Sequence, residues 1–162
     1  MPAPLVMLDP GHGGIDPGAV RAGVAEKDVA LAFGLVLADE MRAAGLRVAM
    51  TREEDVFVPL SARVSAARAI EADVFVSLHA NTVAQGVASG ATVYILSAVP
   101  SDADAAAVAE FENSAERLAG YDAVNGEDVC DASATAMAVT SPAEKLSGGR
   151  VCAVSRAYPP RR

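Results

Sequence analysis

Residues 5–18 read LVMLDPGHGGIDPG, in which four apolar residues run directly into a loop of glycine, proline and acidic residues. A short apolar run closed by Asp-Pro-Gly predicts a buried strand followed by a loop, which we expect to continue to about Val24. The loop carries His12, one of only two histidines among the 162 residues. The sequence therefore places a rare side chain, able to bind metal or carry protons, just after a buried strand.

Helical and strand-like segments alternate after this loop. Apolar residues recur every three to five positions after Glu26, namely Val29, Phe33, Val36 or Leu37, and Met41. With acids in the first turn and Gly45 at the end, they predict an amphipathic helix over 26–45. The other predicted elements are strands at 46–51, 74–79 and 91–96 and helices at 59–72 and 102–120. This alternation predicts right-handed βαβ crossovers, and hence a three-layer α/β/α fold with a mostly parallel twisted sheet flanked by helices.

Both histidines are predicted to lie where ligand sites form in open α/β sheets, at the carboxyl ends of the strands. His12 follows the first strand, His79 ends a later strand, and Glu26 begins the first helix. Two neutral imidazoles and one carboxylate, with a position left for water, form a usual catalytic zinc set. Asp9 and Asn81 are candidates to hold the second ring nitrogens or the adjacent loops, as the outer partners of metal ligands commonly do, or to contact substrate.

Three other interpretations of these residues stay open on pattern alone. A histidine at a strand end is often a hydrogen-bonded loop residue, and a first-turn glutamate is favourable with the helix dipole. The Gly-His-Gly-Gly segment could cradle an anion, although it matches neither phosphate-loop spacing and no lysine follows it. Two histidines and a carboxylate could also hold Fe(II), but the α/β alternation disfavours the usual all-β scaffold of those sites.

Composition excludes several classes of protein. The chain is 52% hydrophobic and has a net charge of −8. It has the size and apolar content of one domain with a real core, and it lacks the excess of basic residues expected of a nucleic-acid binder. No apolar run approaches the ~20 residues of a membrane span, and we expect no export signal in the chain as given. Cys130 and Cys152 predict neither a disulfide framework nor a cysteine zinc site.

The character of the sequence changes after Val129. Residues 130–162 contain five basic and two acidic residues, a net of +3, which leaves −11 on residues 1–129. This tail has Gly148-Gly149 and Pro159-Pro160 and shows no sustained helical or strand period. The sequence therefore predicts a domain over 1–129 and an atypical, weakly ordered tail over 130–162.

A family resemblance covers residues 4–129 and rests on several co-linear motifs. In order and spacing the chain resembles the zinc-dependent N-acetylmuramoyl-L-alanine amidases of the LytC and AmiC type, through VMLDPGHGGIDPGAV, EKDVALAF, TREEDVFVPLSARVSAAR, DVFVSLHAN and the YILS strand. The resemblance implies one zinc ion bound by His12, Glu26 and His79. It also implies hydrolysis of the amide between N-acetylmuramic acid and L-alanine of peptidoglycan, in the periplasm or outside the cell.

The chain departs from that family in its C-terminal part. The family's acid/base glutamate, in a Glu-x-Gly-Phe-like strand, has no match here, so no catalytic acid is assigned. We expect the C-terminal part of the fold to be incomplete, as a reading-frame change or truncation would leave it. A catalytically silent domain that binds zinc or muropeptides is the alternative function that this departure raises.

A second departure lies at 102–126, which resembles the regulatory insertion of division-associated amidases. In those proteins a helix covers the zinc and contributes an acidic blocking ligand until an activator protein displaces it. Glu110, Glu112 and Glu116 are the candidates for that acid. The other interpretation is an ordinary amphipathic surface helix with solvated acids.

Overall fold

The central feature of the fold is a six-stranded sheet, described here from a computed structural model. The structure describes residues 2–80, three strands further along the chain, and the helical residues Ala103 and Ala107. The strands are β1 (Leu5–Pro10), β2 (Val20–Arg21), β3 (Val24–Ala25), β4 (Arg47–Met50), β5 (Val74–His79), β6 (Ala91–Ser97), β7 (Ala136–Pro142) and β8 (Val151–Ala157). The helices are α1 (Glu26–Ala43) and α2 (Leu60–Ala69). The order of strands in the sheet is β4-β1-β5-β8-β6-β7, and β2 pairs with β3 in a separate hairpin.

The predicted mostly parallel α/β sheet is confirmed. β1 pairs in parallel with both β4 and β5, and β6 pairs in parallel with β8, whereas β8 is antiparallel to β5 and β7 to β6. It follows that β6 is antiparallel in direction to β1, whereas the predicted βαβ crossovers would make all the strands parallel. The connection from β5 to β6 is shorter than the dozen or more residues that a parallel crossover usually needs.

The two described helices pack on opposite faces of the sheet, which gives the predicted three layers. Val6 and Leu8 of β1 point to α1, where they form a core cluster with Ala38. Met7, between them in sequence, clusters on the other face with Ala67 of α2 and with Ala72. Side chains alternate across a strand, so both faces of β1 are buried and its sequence is a continuous apolar run.

The buried face of α1 agrees only in part with the predicted apolar stripe, of which Leu37 and Met41 pack, partly buried, against the core. Its buried residues repeat every fourth position and, apart from the first, are small: Glu26, Ala30, Gly34 and Ala38. Val29, Phe33 and Val36 are instead 37%, 38% and 63% exposed. A Cβ at Gly34 would lie 2.9 Å from Cγ of Pro10 and 3.3 Å from Cδ1 of Leu78, so the small residues allow the helix to lie close to β1 and β5. Close approach rather than apolar bulk thus determines which face is buried.

The C-terminal tail contributes two strands to the sheet, although its sequence shows no sustained strand period. The weak order expected of the tail stays a prediction. β7 and β8 both lie within 130–162, and β8 inserts between β5 and β6. Both are seven-residue runs rich in small and β-branched residues, a composition that suits strands, and the glycine pair at 148–149 precedes β8. The charge change at 129 therefore gave no information about strand pairing, and the boundary at 129 stays a prediction.

Part of the predicted organisation lies outside the described residues. Of the helix predicted at 102–120, the structure describes Ala103 and Ala107, both helical and exposed. Over the part of the chain that the structure describes, neither helix has the length and apolar character to cross a membrane.

Candidate metal centre

Three buried side chains with metal-binding atoms converge at the carboxyl ends of β1 and β5. Nε2 of His12 lies 3.3 Å from Oε2 of Glu26, and Nδ1 of His79 lies 3.2 Å from Oε1 of the same carboxylate. The two imidazole nitrogens lie 3.3 Å apart, and the rings meet edge to face. Exposure is 6% for His12, 2% for Glu26 and 9% for His79. The structure thus brings together the three residues that the sequence nominated.

The sheet and the hairpin explain this convergence. β1 and β5 are adjacent and parallel, so the loop after one strand and the last residue of the other lie at the same edge. The β2–β3 hairpin then turns the chain back, and the amide of Glu26 donates to the carbonyl of Ala19 at 2.8 Å. The hairpin has positive φ angles at both turn residues, Ala22 (52°) and Gly23 (80°), as a tight two-residue turn requires. Glu26 therefore enters the site as the first residue of α1.

Two glycines give the ligands the room that they need. A Cβ at Gly11 would collide with the ring of His79. A Cβ at Gly18 would lie 2.5 Å from Cδ2 of His12 and 2.8 Å from Oε2 of Glu26, and its φ of +63° favours glycine as well. Backbone therefore packs directly against the ligand side chains on both sides of the site.

The carboxylate of Glu26 is held at both oxygens by backbone amides. Oε2 accepts from the amide of Ala19 at 2.9 Å, and Oε1 accepts from the amide of Ala80 at 2.8 Å. In the metal-free chain, burial raises the pKa of Glu26, but hydrogen bonds from the facing ring nitrogens of His12 and His79, together with their charge, outweigh burial and hold its pKa well below the usual range. Glu26 is therefore an ionised, fixed acceptor.

Asp16 orients the first histidine, a role that the sequence prediction missed. Its Oδ2 lies 2.9 Å from Nδ1 of His12, and its Oδ1 accepts from the amide of Gly18 at 3.0 Å. Because a carboxylate only accepts hydrogen bonds, Nδ1 carries a proton, and Nε2, which faces the other ligands, is the nitrogen left for a metal. The sequence signal was an aspartate four residues after the histidine in a glycine loop.

Asp9 lies behind the second histidine and reaches its ring through Ser77. Its Oδ2 accepts from Oγ of Ser77 at 2.8 Å, and that hydroxyl lies 3.3 Å from Nε2 of His79. Its Oδ1 accepts from Thr51 and from Arg63, each at 2.6 Å. Burial raises the pKa of Asp9, but the charge of Arg63 and these three hydrogen bonds together lower it below its ordinary value. Ser77 is thus the direct partner of the histidine.

The sequence of this chain is similar to that of a known protein family and of its named members. A family model described as N-acetylmuramoyl-L-alanine amidase matches residues 6–138. The chain belongs to this amidase family. The chain is 44% identical over 119 residues to the amidase AmiC of Neisseria meningitidis serogroup B, covering 72% of this chain and 29% of that protein. It is 44% identical over 123 residues to AmiA of Salmonella typhimurium, covering 75% and 43%.

A solved structure supports the same assignment. The catalytic domain of the amidase CwlV from Bacillus (Paenibacillus) polymyxa var. colistinus has a TM-score of 0.54 and 26% identity, covering 93% of this chain and 79% of that one. The family resemblance seen in the sequence motifs is therefore confirmed. The chain spans less than half the length of the two curated relatives named above.

The donor set of this amidase chain fits a tetrahedral zinc ion. Ligand atoms bound at 2.0–2.1 Å around such an ion lie roughly 3.3 Å apart. The two ring nitrogens that face each other are 3.3 Å apart, and each of them is nearest to a different oxygen of Glu26. One ligand atom from each residue lies within 4.8 Å of the other two. The chemical types and the convergence of the three side chains therefore suit zinc.

Two buried arginines hold the loop that carries His12, and the sequence prediction missed both. Arg63 donates to the carbonyls of Pro10 at 2.8 Å and His12 at 2.7 Å. Arg52 donates to the carbonyls of Pro10 at 2.9 Å and Gly11 at 2.8 Å. Each arginine is 3% exposed, and burial together with the neighbouring Arg63 charge lowers the pKa of Arg52. These contacts keep His12 in its left-handed backbone conformation, with a φ of 59°.

Four of the nominated residues lie outside the described residues: Asn81, Glu110, Glu112 and Glu116. Their roles stay predictions.

Proposed function

We propose that this chain hydrolyses the amide bond between N-acetylmuramic acid and L-alanine of the peptidoglycan stem peptide, with one zinc ion bound by His12, Glu26 and His79. The observation that carries the proposal is the buried set of two imidazoles and one carboxylate, which offers one ligand atom from each residue within 4.8 Å of the others. Membership of the amidase family supplies the reaction and the substrate class.

The chain's own residues prepare the site for this reaction. Zinc, when bound, supplies Lewis-acid activation of water and of the amide carbonyl. Glu26 contributes the single negative charge of the ligand set, and its two backbone donors prevent the carboxylate from rotating. Asp16 holds the ring of His12, so that side chain needs no reorganisation on binding.

The proposed substrate also defines the proposed location and regulation. Because peptidoglycan lies outside the cytoplasmic membrane, we place the activity in the periplasm or outside the cell. We further propose, from the resemblance at 102–126, that an activator protein displaces a blocking acid drawn from Glu110, Glu112 and Glu116. The exposed helical positions Ala103 and Ala107 are compatible with a helix at that point.

Zinc content and amide hydrolysis measured on one preparation test the proposal. The full chain is assayed for bound zinc and for release of new L-alanine amino groups from purified muropeptides, beside His79→Ala. We expect about one zinc per chain and release in the wild type, and loss of both in the variant. Zinc without release contradicts hydrolysis and supports the silent binding domain. Absence of zinc from the folded wild type after zinc addition contradicts the metal site.

The control variant for this assay is Asp39→Asn. Asp39 lies on the outer surface of α1, where its side chain is 80% exposed and pairs with Arg42. This variant should retain zinc and release peptide at the wild-type rate. A loss in Asp39→Asn equal to that in His79→Ala would show that the assay reports general damage to the fold.

A further inference from the structure

The hydroxyl of Ser77 lies between a buried carboxylate and the second histidine. Oγ of Ser77 is 2.8 Å from Oδ2 of Asp9 and 3.3 Å from Nε2 of His79. Ser77 and His79 both belong to β5, two positions apart, so they lie on the same face of that strand. The hydroxyl therefore contacts the ring nitrogen that points away from Glu26.

The direction of each hydrogen bond in this chain of contacts follows from Asp9. The aspartate receives a guanidinium hydrogen bond from Arg63 and a hydroxyl hydrogen bond from Thr51, both at 2.6 Å. A carboxylate paired with arginine only accepts, and a serine hydroxyl has a single proton. That proton is donated to Asp9, so the oxygen of Ser77 is left as an acceptor. Its neighbour on the other side, Nε2 of His79, must then be the donor.

We propose that Ser77, held by Asp9 and Arg63, is a positioning residue that keeps the proton of His79 on Nε2 and so leaves Nδ1 as the metal-binding atom. The inference rests on the proposed zinc function. Nδ1 is the nitrogen that faces the other ligands, 3.2 Å from Glu26 and 3.3 Å from His12. A partner that fixes the second nitrogen also fixes the ring orientation and raises the basicity of the ligand.

The two histidines then present opposite ring nitrogens. His12 is protonated on Nδ1, against Asp16, and offers Nε2. His79 is protonated on Nε2, against Ser77, and offers Nδ1. The first partner is a carboxylate and the second a neutral hydroxyl backed by a carboxylate. Each ligand therefore has its own outer partner, and the two can be tested separately.

The test compares Ser77→Ala, Ser77→Thr and a matched control, Thr51→Val. Ser77→Ala removes the acceptor for Nε2, and Ser77→Thr keeps a hydroxyl. Thr51→Val removes a hydroxyl that donates to the other oxygen of the same Asp9 carboxylate. Zinc affinity of the full chain is measured by competition with a chelator. The protonated ring nitrogens are assigned by ¹⁵N spectra of the zinc-loaded protein, in which only two histidines contribute.

We expect the wild type to carry the His79 proton on Nε2 and the His12 proton on Nδ1. Zinc affinity should fall about 10- to 100-fold in Ser77→Ala and by less than about 10-fold in Ser77→Thr and Thr51→Val. The Nε2 proton of His79 should also exchange faster with solvent in Ser77→Ala. A wild-type His79 protonated on Nδ1 overturns the inference. Equal zinc affinities in Ser77→Ala and Thr51→Val overturn it as well.

This experiment is independent of hydrolysis. A chain that binds zinc with these nitrogen assignments but releases no peptide contradicts the proposed function and leaves the role of Ser77 intact. If the wild type releases peptide but Ser77→Ala changes neither zinc affinity nor proton exchange, the proposed function stands and the role of Ser77 is contradicted.

Discussion

Gly11→Ala should abolish tight zinc binding while leaving the chain folded. A Cβ at this position would lie 2.7 Å from Nδ1 and 2.8 Å from Nε2 of His79, and closer still to Cε1. Ordinary contacts begin at 3.4 Å, so Nδ1 must recede by about 0.7 Å, roughly a third of a zinc–nitrogen bond. The backbone at Gly11 lies outside the left-handed region, so the added methyl acts by steric conflict alone.

The expected magnitudes follow from losing one of three ligands. Zinc affinity should fall by at least about 100-fold, which equals about 2.8 kcal/mol. The free energy of unfolding of the metal-free protein should fall by about 1–3 kcal/mol, the usual cost of overpacking. Chelator competition gives the affinity, and urea unfolding followed by circular dichroism gives the stability.

Gly23→Ala is the matched control. Gly23 has a φ of +80° in the hairpin turn, and no atom of the described residues lies within 4 Å of its added Cβ. Alanine there should cost about 1 kcal/mol of stability through backbone strain and leave zinc affinity unchanged. The reasoning is refuted if Gly11→Ala binds zinc as tightly as Gly23→Ala, because His79 would then not depend on close approach of the backbone.

Three further predictions concern the buried charges. Folding lowers the pKa of Asp9, so its contribution to stability is complete above its unfolded pKa of about 3.9 and is lost as the pH falls through the folded value. Urea unfolding of the metal-free protein from pH 5 to 2.5 should show this loss. In Asp9→Asn the free energy of unfolding should depend less on pH over the same range. Arg63→Met should cost about 3–5 kcal/mol because it strands a buried carboxylate, whereas Arg68→Met, at an exposed position of the same helix, should change the unfolding midpoint little. Asp16→Asn should weaken zinc binding by about 10- to 100-fold, measured by chelator competition, with Asp39→Asn as the unaffected control; equal affinities would exclude Asp16 as the partner that orients the ligand.

The parts of the site that follow from strand ends were predictable from sequence. His12 and His79 each sit at the end of an apolar run, and parallel strands bring such ends to one edge. Glu26 was predictable as the start of an amphipathic helix, although the face that α1 buries is made of small residues rather than the large apolar ones. Periodicity thus located the elements and their ends, but it did not identify the face of closest packing.

The residues that support the ligands were not predictable in this way, because their partners are distant in sequence. Arg63 contacts Asp9 across 54 positions, and Ser77 contacts it across 68. An arginine in α2 has the pattern of a solvated surface cation, and a serine within an apolar strand has the pattern of an ordinary strand residue. The tail strands β7 and β8 were missed for a related reason, since their pairing is with β5 and β6 rather than within the tail.

The buried arginines explain how a sharp glycine loop can sit inside a core. The carbonyls of Pro10, Gly11 and His12 around this turn all accept from arginine side chains, and buried carbonyls without donors cost about 1–3 kcal/mol each. The guanidinium groups of Arg52 and Arg63 supply several donors in a fixed plane, so two side chains satisfy all three carbonyls. Arg63 also neutralises Asp9, which contacts His79 through Ser77. One arginine therefore supports both the loop that carries His12 and the carboxylate that lies behind His79. The loop is therefore held by the protein itself, and both ligand rings are oriented before any metal arrives.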